Sequence, residues 1–554
     1  MNTKFIFSAL LISVPLLMVA QQSNPDRNVT VEREYQPVIE DAGKITSLPE
    51  ILEPSSTRQR VDYADLFHPL PQGRYLQSLP MTAYEAEKRR RQEAFVRLGM
   101  GNYLNTLGEI TLPVIKKEKD RLDINIDHLG TFGKRKFSQT RGSIDYNHLF
   151  TSTELFASLG ANHRFFNYFG SGFSFAGDRT GLDTLSGTIA DETHMAFRGQ
   201  LGFRSMPDQL KFRHSGQFTY EVLNSVSGWG EKIVTVDYGF SSLLKENRYG
   251  VDFELNNMSY EAPVGAAAVH PDYSVLSLNP YYLLERDNAS LRLGLTTAFS
   301  FVTGRTFNPA PDIHAVWKAL PKVLALYGGI GGDFTTVTYS RLREENPWVT
   351  HSLRVKDTYT PFKPYIGFNV KPAHFLMMDG FVEYNSIKDQ YFFVNDTMTI
   401  STLQGNQVSL HGNQFDVEYS DASLFRFGGR MSFQYKNRIN SSLKIVANKW
   451  TTESIAQAWM KPGLEADWNL DLKVNPNLTI SSNFYYEGER MAKLGTQVVT
   501  MKPVTDLNLS ASYFFNSTFS AFAKLNNILN SDYEQFLGYE VQRFNFLLGG
   551  AISF

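Results

Sequence analysis

The sequence predicts an all-β fold: a transmembrane antiparallel up-and-down β-barrel of about 20 strands (18–22), preceded by a short periplasmic or luminal N-terminal segment. Three observations predict it: an apolar final strand, alternation of polar and apolar residues over most of the chain, and connections that alternate between short and long. The expected division is a signal peptide over 1–20, the N-terminal segment over 21–93 and the barrel over 94–554.

The last eleven residues form an extended strand with one apolar face. Phe544, Phe546, Leu548, Ile552 and the terminal Phe554 share that face, because successive side chains of a strand point to opposite sides. A barrel in lipid turns such a face outward, whereas a soluble sandwich buries it against a second sheet. We expect Phe544, Phe546 and Phe554 to act as a C-terminal assembly signal that is read by the barrel-assembly machinery.

Two-residue alternation is clearest in the stretch 464–474, where apolar residues alternate with ionic or polar ones. In a lipid-embedded barrel the polar set of such a strand faces the lumen. The candidate lumen-facing polar residues are Glu465, Asp467, Asp471 and Lys473. If the barrel carries a solute, we expect these side chains to contact it.

Short and long connections alternate, as in membrane barrels with tight periplasmic turns and longer outer loops. The predicted short turns lie at 151–153, 206–209, 245–247, 285–288, 320–322, 371–373, 436–438, 475–477 and 516–518. The longest connections, at 171–191, 340–359 and 389–421, are predicted to be extracellular loops. Counting strands from Lys119 gives about twenty, and the segment 95–110 adds two if it also forms strands.

Composition excludes several other classes. The mean hydropathy is −0.27 and the chain has no run of about eighteen apolar residues, so it is not a helical membrane protein. A net charge of −2 gives no reason to propose nucleic acid as a partner. The absence of cysteine excludes disulfides and thiolate metal sites. A large secreted β-sandwich or propeller array is the remaining alternative, and the export signal and strands of about eleven residues favour the barrel.

The N-terminus has the layout of a secretory signal, because a lysine precedes the apolar stretch 5–19, which ends at Ala20. We therefore expect export to the outer membrane of a Gram-negative bacterium. Segment 21–93 is proline-punctuated and charged, and its basic run 88–91 is either a solvated helix face or a contact for an anionic partner. Wall side chains cannot fill a barrel of about twenty strands. We expect this segment, or the connection 389–421 folded inward, to occupy the bore.

The sequence carries no motif of enzyme chemistry. It has no His-Glu-x-x-His pair and no Gly-x-Ser-x-Gly elbow, so we expect neither a catalytic site, nor a cofactor, nor a metal site. His128, His148 and His163 lie on separate predicted strands, and we interpret them as individual lumen or interface residues.

Near the C-terminus the chain carries four short elements in order, which are Asn527-Ile528-Leu529, Tyr533-Glu534, Gly538-Tyr539 and Arg543. This order resembles the C-terminal end of TonB-dependent receptors, where an Asn-Leu-Phe-like element, a Tyr-Glu pair and a Gly-Tyr pair precede an arginine-containing final strand. The resemblance covers about thirty residues. It implies energised uptake of a bulky nutrient such as a siderophore, vitamin or glycan, driven by contact with TonB in the periplasm.

The plug of that family is a much longer folded domain than the roughly seventy mature residues before Phe95. In this respect the chain departs from the family, and we expect the usual plug to be missing. Val29, Thr30 and Val31 resemble the short TonB-contacting box and are the candidate periplasmic contact. Two functions remain: transport of a solute across the outer membrane, or a non-transporting scaffold barrel of an assembly or secretion complex. The expected partners are outer-membrane lipid, the barrel-assembly machinery, and either TonB or a periplasmic or surface lipoprotein.

Overall fold

A computed structural model describes residues 94–173, 190–206, 211–263, 270–302, 304–351, 353–401, 407–436 and 438–554. The predicted signal peptide, the N-terminal segment 21–93 with its basic run, and the candidate contact Val29–Val31 lie outside the described residues. None of the described helices is long and apolar enough to cross a membrane.

Twenty-two strands form one sheet, which we call the wall. The wall strands are β1 (Phe95–Gly101), β2 (Asn105–Lys116), β3 (Asp120–Phe132), β4 (Lys136–Leu149), β5 (Thr153–Phe166), β6 (Glu192–Ser205), β7 (Phe212–Ser225), β8 (Gly230–Leu244), β9 (Asn247–Glu261), β10 (Tyr273–Arg286), β11 (Ala289–Phe301), β12 (Phe307–Leu320), β13 (Leu324–Thr335), β14 (Thr358–Ala373), β15 (Leu376–Ser401), β16 (Gln407–Tyr435), β17 (Ile439–Thr452), β18 (Leu464–Asn475), β19 (Leu478–Glu487), β22 (Val504–Phe514), β23 (Phe519–Asn526) and β26 (Asn545–Ser553). Two small hairpins stand apart from it, β20 (Arg490–Leu494) with β21 (Gln497–Met501), and β24 (Glu534–Phe536) with β25 (Tyr539–Glu540). The helix α1 (Tyr339–Glu345) follows β13.

The wall closes on itself because β1 pairs antiparallel with both β2 and β26. Each strand of this ring therefore has a hydrogen-bonded neighbour on both sides, which removes the unpaired edges that an open sheet exposes. The predicted antiparallel barrel is confirmed, and its 22 strands stand at the top of the expected range. The two additional strands are β1 and β2, which the sequence marked over 95–110.

The last strand shows how alternation divides the wall into two faces. Phe546, Leu548 and Ile552 of β26 are exposed, whereas Leu547 and Ala551 between them are buried. Leu547 packs inside the ring in a small apolar cluster. The exposed side chains therefore face outward, which is the arrangement of a barrel wall in contact with lipid.

The predicted short turns connect successive strands at one end of the ring, which we call the short-turn end; the turn at 206–209 is described in part. The turn predicted at 371–373 lies slightly later, between the last residue of β14 and the first of β15. The longer connections belong to the opposite end, which we call the long-loop end. The predicted loop 340–359 lies there and contains most of α1.

The predicted loop 389–421 also lies at the long-loop end, but its described residues form strands and not an irregular loop. They continue β15 and β16 as a long hairpin beyond the ring. The pairing shifts register after Ile387 and after Asn395, and such β-bulges bend a hairpin. The sequence obscured these strands because both faces of the hairpin bury apolar residues, so the two-residue alternation of the wall disappears here.

Candidate functional site at the long-loop end

Connections at the long-loop end pack on one another in one hydrophobic cluster, which we call the cap. They are the connections after β5, β13, β17, β19 and β23, together with the outer part of the β15–β16 hairpin. The buried members of the cap are Phe166, Tyr168, Phe173, Val337, Tyr339, Leu342, Trp348, Val349, Leu353, Tyr391, Phe393, Phe415, Val417, Met460, Ala492, Leu494, Met501, Phe536, Leu537 and Tyr539. β5 and β16 stand eleven strands apart (16 − 5) in a ring of 22, so they lie on opposite sides. The cap therefore spans the mouth of the barrel from side to side.

Trp348 lies at the centre of the cap and is 1% exposed. Its ring stacks on Tyr539 with centroids 3.8 Å apart, and its Nε1 donates to the backbone oxygen of Asn167 at 3.2 Å. The Tyr539 hydroxyl donates to the backbone oxygen of Asn413 at 2.6 Å, and the Asn413 amide donates to that of Tyr168 at 2.8 Å. Buried aromatic rings whose polar ends are satisfied in this way hold a unique geometry. These bonds join the connection after β5 to the hairpin on the far side of the ring.

Helix α1 is anchored on the wall through its N-terminus. The Thr338 hydroxyl caps it by accepting from the Arg341 backbone N–H at 3.2 Å. The buried carboxylate of Glu231, at the start of β8, accepts from the backbone N–H groups of Tyr339 at 2.8 Å and Ser340 at 2.9 Å. A helix N-terminus has unsatisfied N–H donors and a partial positive charge, and a carboxylate satisfies both. Glu231 thus fixes α1 to one side of the mouth.

A network of polar side chains lies where α1 meets β6. Arg343 is 1% exposed and donates from Nη2 to the Tyr339 hydroxyl at 2.6 Å and from Nη1 to His194 Nε2. Its guanidinium also lies 4.2 Å from the centre of the Tyr339 ring. On the other side of His194, the Glu192 carboxylate is 2.9 Å from His351 Nε2. The network joins the wall to the connection after β13.

The ligand atoms of Glu192, His194 and His351 lie within 4.8 Å of one another, a spacing at which three side chains can hold a metal ion. Arg343 donates to the His194 nitrogen that would bind the metal, and its positive charge repels a cation at that place. These residues therefore fit a hydrogen-bonded network better than a metal centre. Sequence reasoning missed the cluster, although a Glu-x-His pair opens β6 and puts both side chains on one face.

Three titratable groups in connections at the long-loop end have shifted pKa values. Burial lowers the pKa of His351, while hydrogen bonding to Glu192 opposes that shift. Burial also lowers the pKa of His270, whose Nε2 donates to the Leu353 backbone oxygen at 2.7 Å. Burial raises the pKa of Asp357 to about 6, although its carboxylate accepts from the Val337 backbone N–H at 2.9 Å. The charge of the cap therefore changes in mildly acidic solution.

A cavity of about 350 Å³ lies between α1 and the wall strands β4 to β8. Its charged lining comprises four arginines and three glutamates, which are Arg141, Arg164, Arg198, Arg343, Glu221, Glu231 and Glu344. Arg343, Glu344 and Ser340 of α1 contribute to the lining from the cap side. The cap and the cavity together form the candidate functional site.

Comparison with protein-family models and with curated proteins finds no match. Among solved structures, the chain is similar to a mutant of the ferric enterobactin receptor PfeA from Pseudomonas aeruginosa, with a TM-score of 0.59, 11% identity and coverage of 83% of this chain and 80% of that one. The siderophore receptor PirA from Acinetobacter baumannii matches with a TM-score of 0.62, 10% identity and coverage of 83% and 80%. The chain has the barrel fold of TonB-dependent receptors. The copper transporter OprC shares this receptor fold, with a TM-score of 0.58, 11% identity and coverage of 84% and 82%.

The resemblance noted near the C-terminus is thus confirmed at the level of the receptor fold, and its elements have structural roles. The Asn527 side chain donates to the backbone oxygens of Ser531 at 2.9 Å and Gln542 at 3.2 Å, which ties the connection after β23 into a compact turn. Gly538 has φ 92°, a conformation that favours glycine, and a Cβ there would lie 2.6 Å from the Ser171 backbone oxygen. This turn places Tyr539 in the cap.

The structure places the predicted polar residues on β18, separate from the cavity lining. Glu465 accepts from the Asn448 side-chain amide at 2.8 Å, and Asp471 accepts from the Ser481 hydroxyl at 2.6 Å. Asp467 and Lys473 follow the same alternation along β18. That this set contacts a solute stays a prediction.

The aromatic residues predicted to direct assembly lie at or beside the last strand and are exposed: Phe544 by 40%, Phe546 by 37% and Phe554 by 65%. Their role as an assembly signal stays a prediction. His128 and His148 have separate partners, since His128 bonds to two threonine hydroxyls and His148 Nδ1 lies 2.7 Å from an Asp120 carboxylate oxygen.

Proposed function

We propose that the protein takes part in transport of a solute across the outer membrane of a Gram-negative bacterium, as a receptor-type barrel whose cap controls the mouth. The observation that carries the proposal is a cap that spans a ring of 22 strands from side to side above a charged cavity. A ring of this size encloses a lumen too wide for wall side chains to fill. Passage through it would therefore require the cap to move.

The names of the similar structures support transport by analogy of fold. They describe a ferric enterobactin receptor, a siderophore receptor and a copper transporter, and those ligands belong to those proteins. For this chain the proposal includes export by the signal peptide, assembly through the final strand, and contact with TonB through Val29, Thr30 and Val31. It includes no enzyme chemistry.

A scaffold function is the second candidate, and the packing of the cap favours it. Phe415 and Val349 are 0% exposed and form a single parallel bridge, so the connection after β13 is hydrogen-bonded to the outer part of the β15–β16 hairpin. Closure of this kind resembles a protein core more than a mobile loop. A permanently closed barrel would serve an assembly or secretion complex, with a periplasmic or surface lipoprotein as its partner.

Planar-bilayer conductance of four purified proteins distinguishes the two functions. They are the full-length protein, a variant lacking Asn24 to Gln92, the cap variant Trp348→Ala/Tyr539→Ala, and the combination of the deletion with the cap variant. The matched control for the cap variant is Trp317→Ala/Tyr249→Ala, which removes two aromatic rings that are 56% and 42% exposed on wall strands.

Transport predicts that large channels appear in at least one of the four proteins and not in the control. Channels that need only the deletion assign the blockage to the N-terminal segment, and channels that need only the cap variant assign it to the cap. If none of the four proteins conducts, the bore does not open and the scaffold function replaces transport.

A further inference from the structure

We propose that the cavity beneath α1 binds an anionic solute through Arg164 and Arg343, two buried arginines that form no salt bridge with a carboxylate among the described residues. The statement that this solute is the one transported rests on the proposed function. Binding of an anion at the cavity is measured on the purified protein without any transport, so the two proposals can fail separately.

The hydrogen-bond partners of these two arginines are neutral, and Glu344 and Glu192 act on them only electrostatically, without forming a salt bridge. Arg343 is 1% exposed and Arg164 is 9% exposed. Arg164 Nη1 donates to the backbone oxygen of Arg343 at 3.0 Å, and Arg343 donates to Tyr339 and His194. When the Gln139 amide is oriented with its oxygen towards Arg164, that oxygen lies 3.1 Å from Nη2. The Nε atoms of both arginines are buried and have no hydrogen-bond partner.

Three other shielded arginines of the wall each have a carboxylate partner. Arg97 pairs with Glu109, Arg292 Nε lies 2.6 Å from an Asp312 oxygen, and Arg426 Nη1 lies 3.4 Å from a Glu383 oxygen. A buried charge is expensive unless a counter-charge compensates it. Arg164 and Arg343 differ from these three arginines, because they are adjacent, line one cavity and form no salt bridge with a described carboxylate. An anion in the cavity would supply a counter-charge in direct contact with both guanidinium groups.

The acidic residues of the cavity are engaged elsewhere. Glu231 accepts from the N-terminus of α1, and Glu221 lies 3.2 Å from Arg198. Glu344 is 66% exposed on its side chain and lies 3.9 Å from Arg141. The charged lining has four arginines and three glutamates, which is an excess of one positive charge. Arg164 and Arg343 are the buried arginines of this lining.

The chemistry of the guanidinium group defines the class of solute. Its planar fork of N–H donors matches the oxygens of a carboxylate or a phosphate and binds them bidentately. A cavity of about 350 Å³ is within the range of sites for small molecules. We therefore expect a small organic anion bearing carboxylate or phosphate groups.

The position of the two arginines couples binding to the cap. Arg164 belongs to β5 of the wall, whereas Arg343 belongs to α1, whose Leu342 is fully buried in the cap. An anion between the two guanidinium groups would hold α1 against the wall. Binding should therefore stabilise the closed cap, because a ligand shifts an equilibrium towards the state that it binds more tightly.

Isothermal titration of the full-length protein in detergent tests this inference, with citrate and pyrophosphate as separate probes and glucose as a neutral probe at constant ionic strength. We expect saturable binding of at least one anion, and the stronger probe identifies carboxylate or phosphate as the preferred group. Arg164→Gln should weaken that binding by about tenfold or more, and Arg164→Lys should weaken it less, because lysine keeps the charge but loses the fork. Arg292→Gln is the matched control and should leave the affinity unchanged.

Thermal denaturation without added anion provides a second measurement. Arg164→Gln removes a buried charge that has no salt bridge, so it should leave the denaturation temperature unchanged or raise it. Arg292→Gln should lower it, because Asp312 then loses its partner. Binding of neither anion, equal weakening by Arg164→Gln and Arg292→Gln, or a lower denaturation temperature for Arg164→Gln overturns the inference. Anion binding by a protein that never conducts upholds the site and contradicts transport, whereas conductance without anion binding does the reverse.

Discussion

The wall and the cap bury apolar residues in different ways. A wall strand such as β26 exposes every second side chain, as Phe546, Leu548 and Ile552 show, and its backbone is fully paired with its two neighbours. The cap buries both faces of its strands, since the adjacent Phe392 and Phe393 are 0% and 2% exposed. The wall is therefore held by hydrogen bonds along the ring and the cap by packing between distant segments. Changes in the cap should open the mouth without opening the ring.

The largest expected effect comes from removing the centre of the cap. Trp348→Ala should cost the cap about 3–5 kcal/mol, the usual cost of truncating a buried aromatic residue. Hydrogen exchange and limited proteolysis should then reach the connection after β13, while the unboiled protein still migrates as a folded barrel on a gel. Trp317→Ala, at a wall position that is 56% exposed, is the control and should change neither measurement. Loss of the folded barrel in Trp348→Ala would show that wall and cap are not separable.

A disulfide across the cap should lock the mouth. The chain contains no cysteine, so the pair Val349→Cys/Phe415→Cys forms one defined cross-link between residues that pair across a bridge. If the cap moves during transport, oxidation should abolish conductance in a variant that otherwise conducts, and a reductant should restore it. The wall pair Ser432→Cys/Ser442→Cys, whose residues are partners on β16 and β17, is the control. Equal conductance of the oxidised and reduced cap pair would mean that the path avoids the cap.

The anchor of α1 should give a smaller effect. Glu231→Gln keeps the shape of the side chain but removes the charge at the helix N-terminus, and we expect a loss of about 1–2 kcal/mol. Amide hydrogen exchange should accelerate in α1 and the residues that follow it, with little change in β8. Glu246→Gln changes a glutamate whose side chain is 81% exposed at the short-turn end and serves as the control. Unchanged exchange in α1 would assign its position to the apolar contacts of Leu342 instead.

The pH dependence of the cap should be the smallest effect, because two groups oppose each other. In the folded protein the pKa of His351 is lowered from its ordinary value of 6.5, so the unfolded protein takes up this proton more readily. The contribution of His351 to the free energy of unfolding is therefore lost as the pH falls below 6.5. The pKa of Asp357 is raised to about 6, so its contribution increases as the pH falls from 6 towards 3.8. His351 faces Glu192, Arg343, Ser227 and Trp229.

Protease protection of the cap between pH 7 and pH 5 separates the two groups. His351→Gln should remove the loss of protection in acid, and Asp357→Asn should enlarge it. If both variants keep the pH profile of the unchanged protein, other groups control the cap.

The wall was predictable from the sequence because one face of each strand contacts an apolar environment and the other a polar one, which imposes a period of two. That period located the short turns and the final strand. It failed at 389–421, where both faces of a hairpin are covered by other connections. The candidate site was not predictable, since Arg164 and the Arg343 backbone oxygen are bonded across 179 residues of sequence. Only the ring closure brings such residues together.

The stack of Trp348 on Tyr539 also has a consequence for the order of folding. The two rings are separated by 191 residues (539 − 348), and Tyr539 precedes the strand that closes the ring by only a few positions. Contacts so distant along the chain form late. During synthesis Trp348 therefore lacks its stacking partner until almost all of the chain has been made, although Phe169, which packs edge-on against it, is made earlier. The packing of the cap is therefore completed only after the connection that follows β23 has been made.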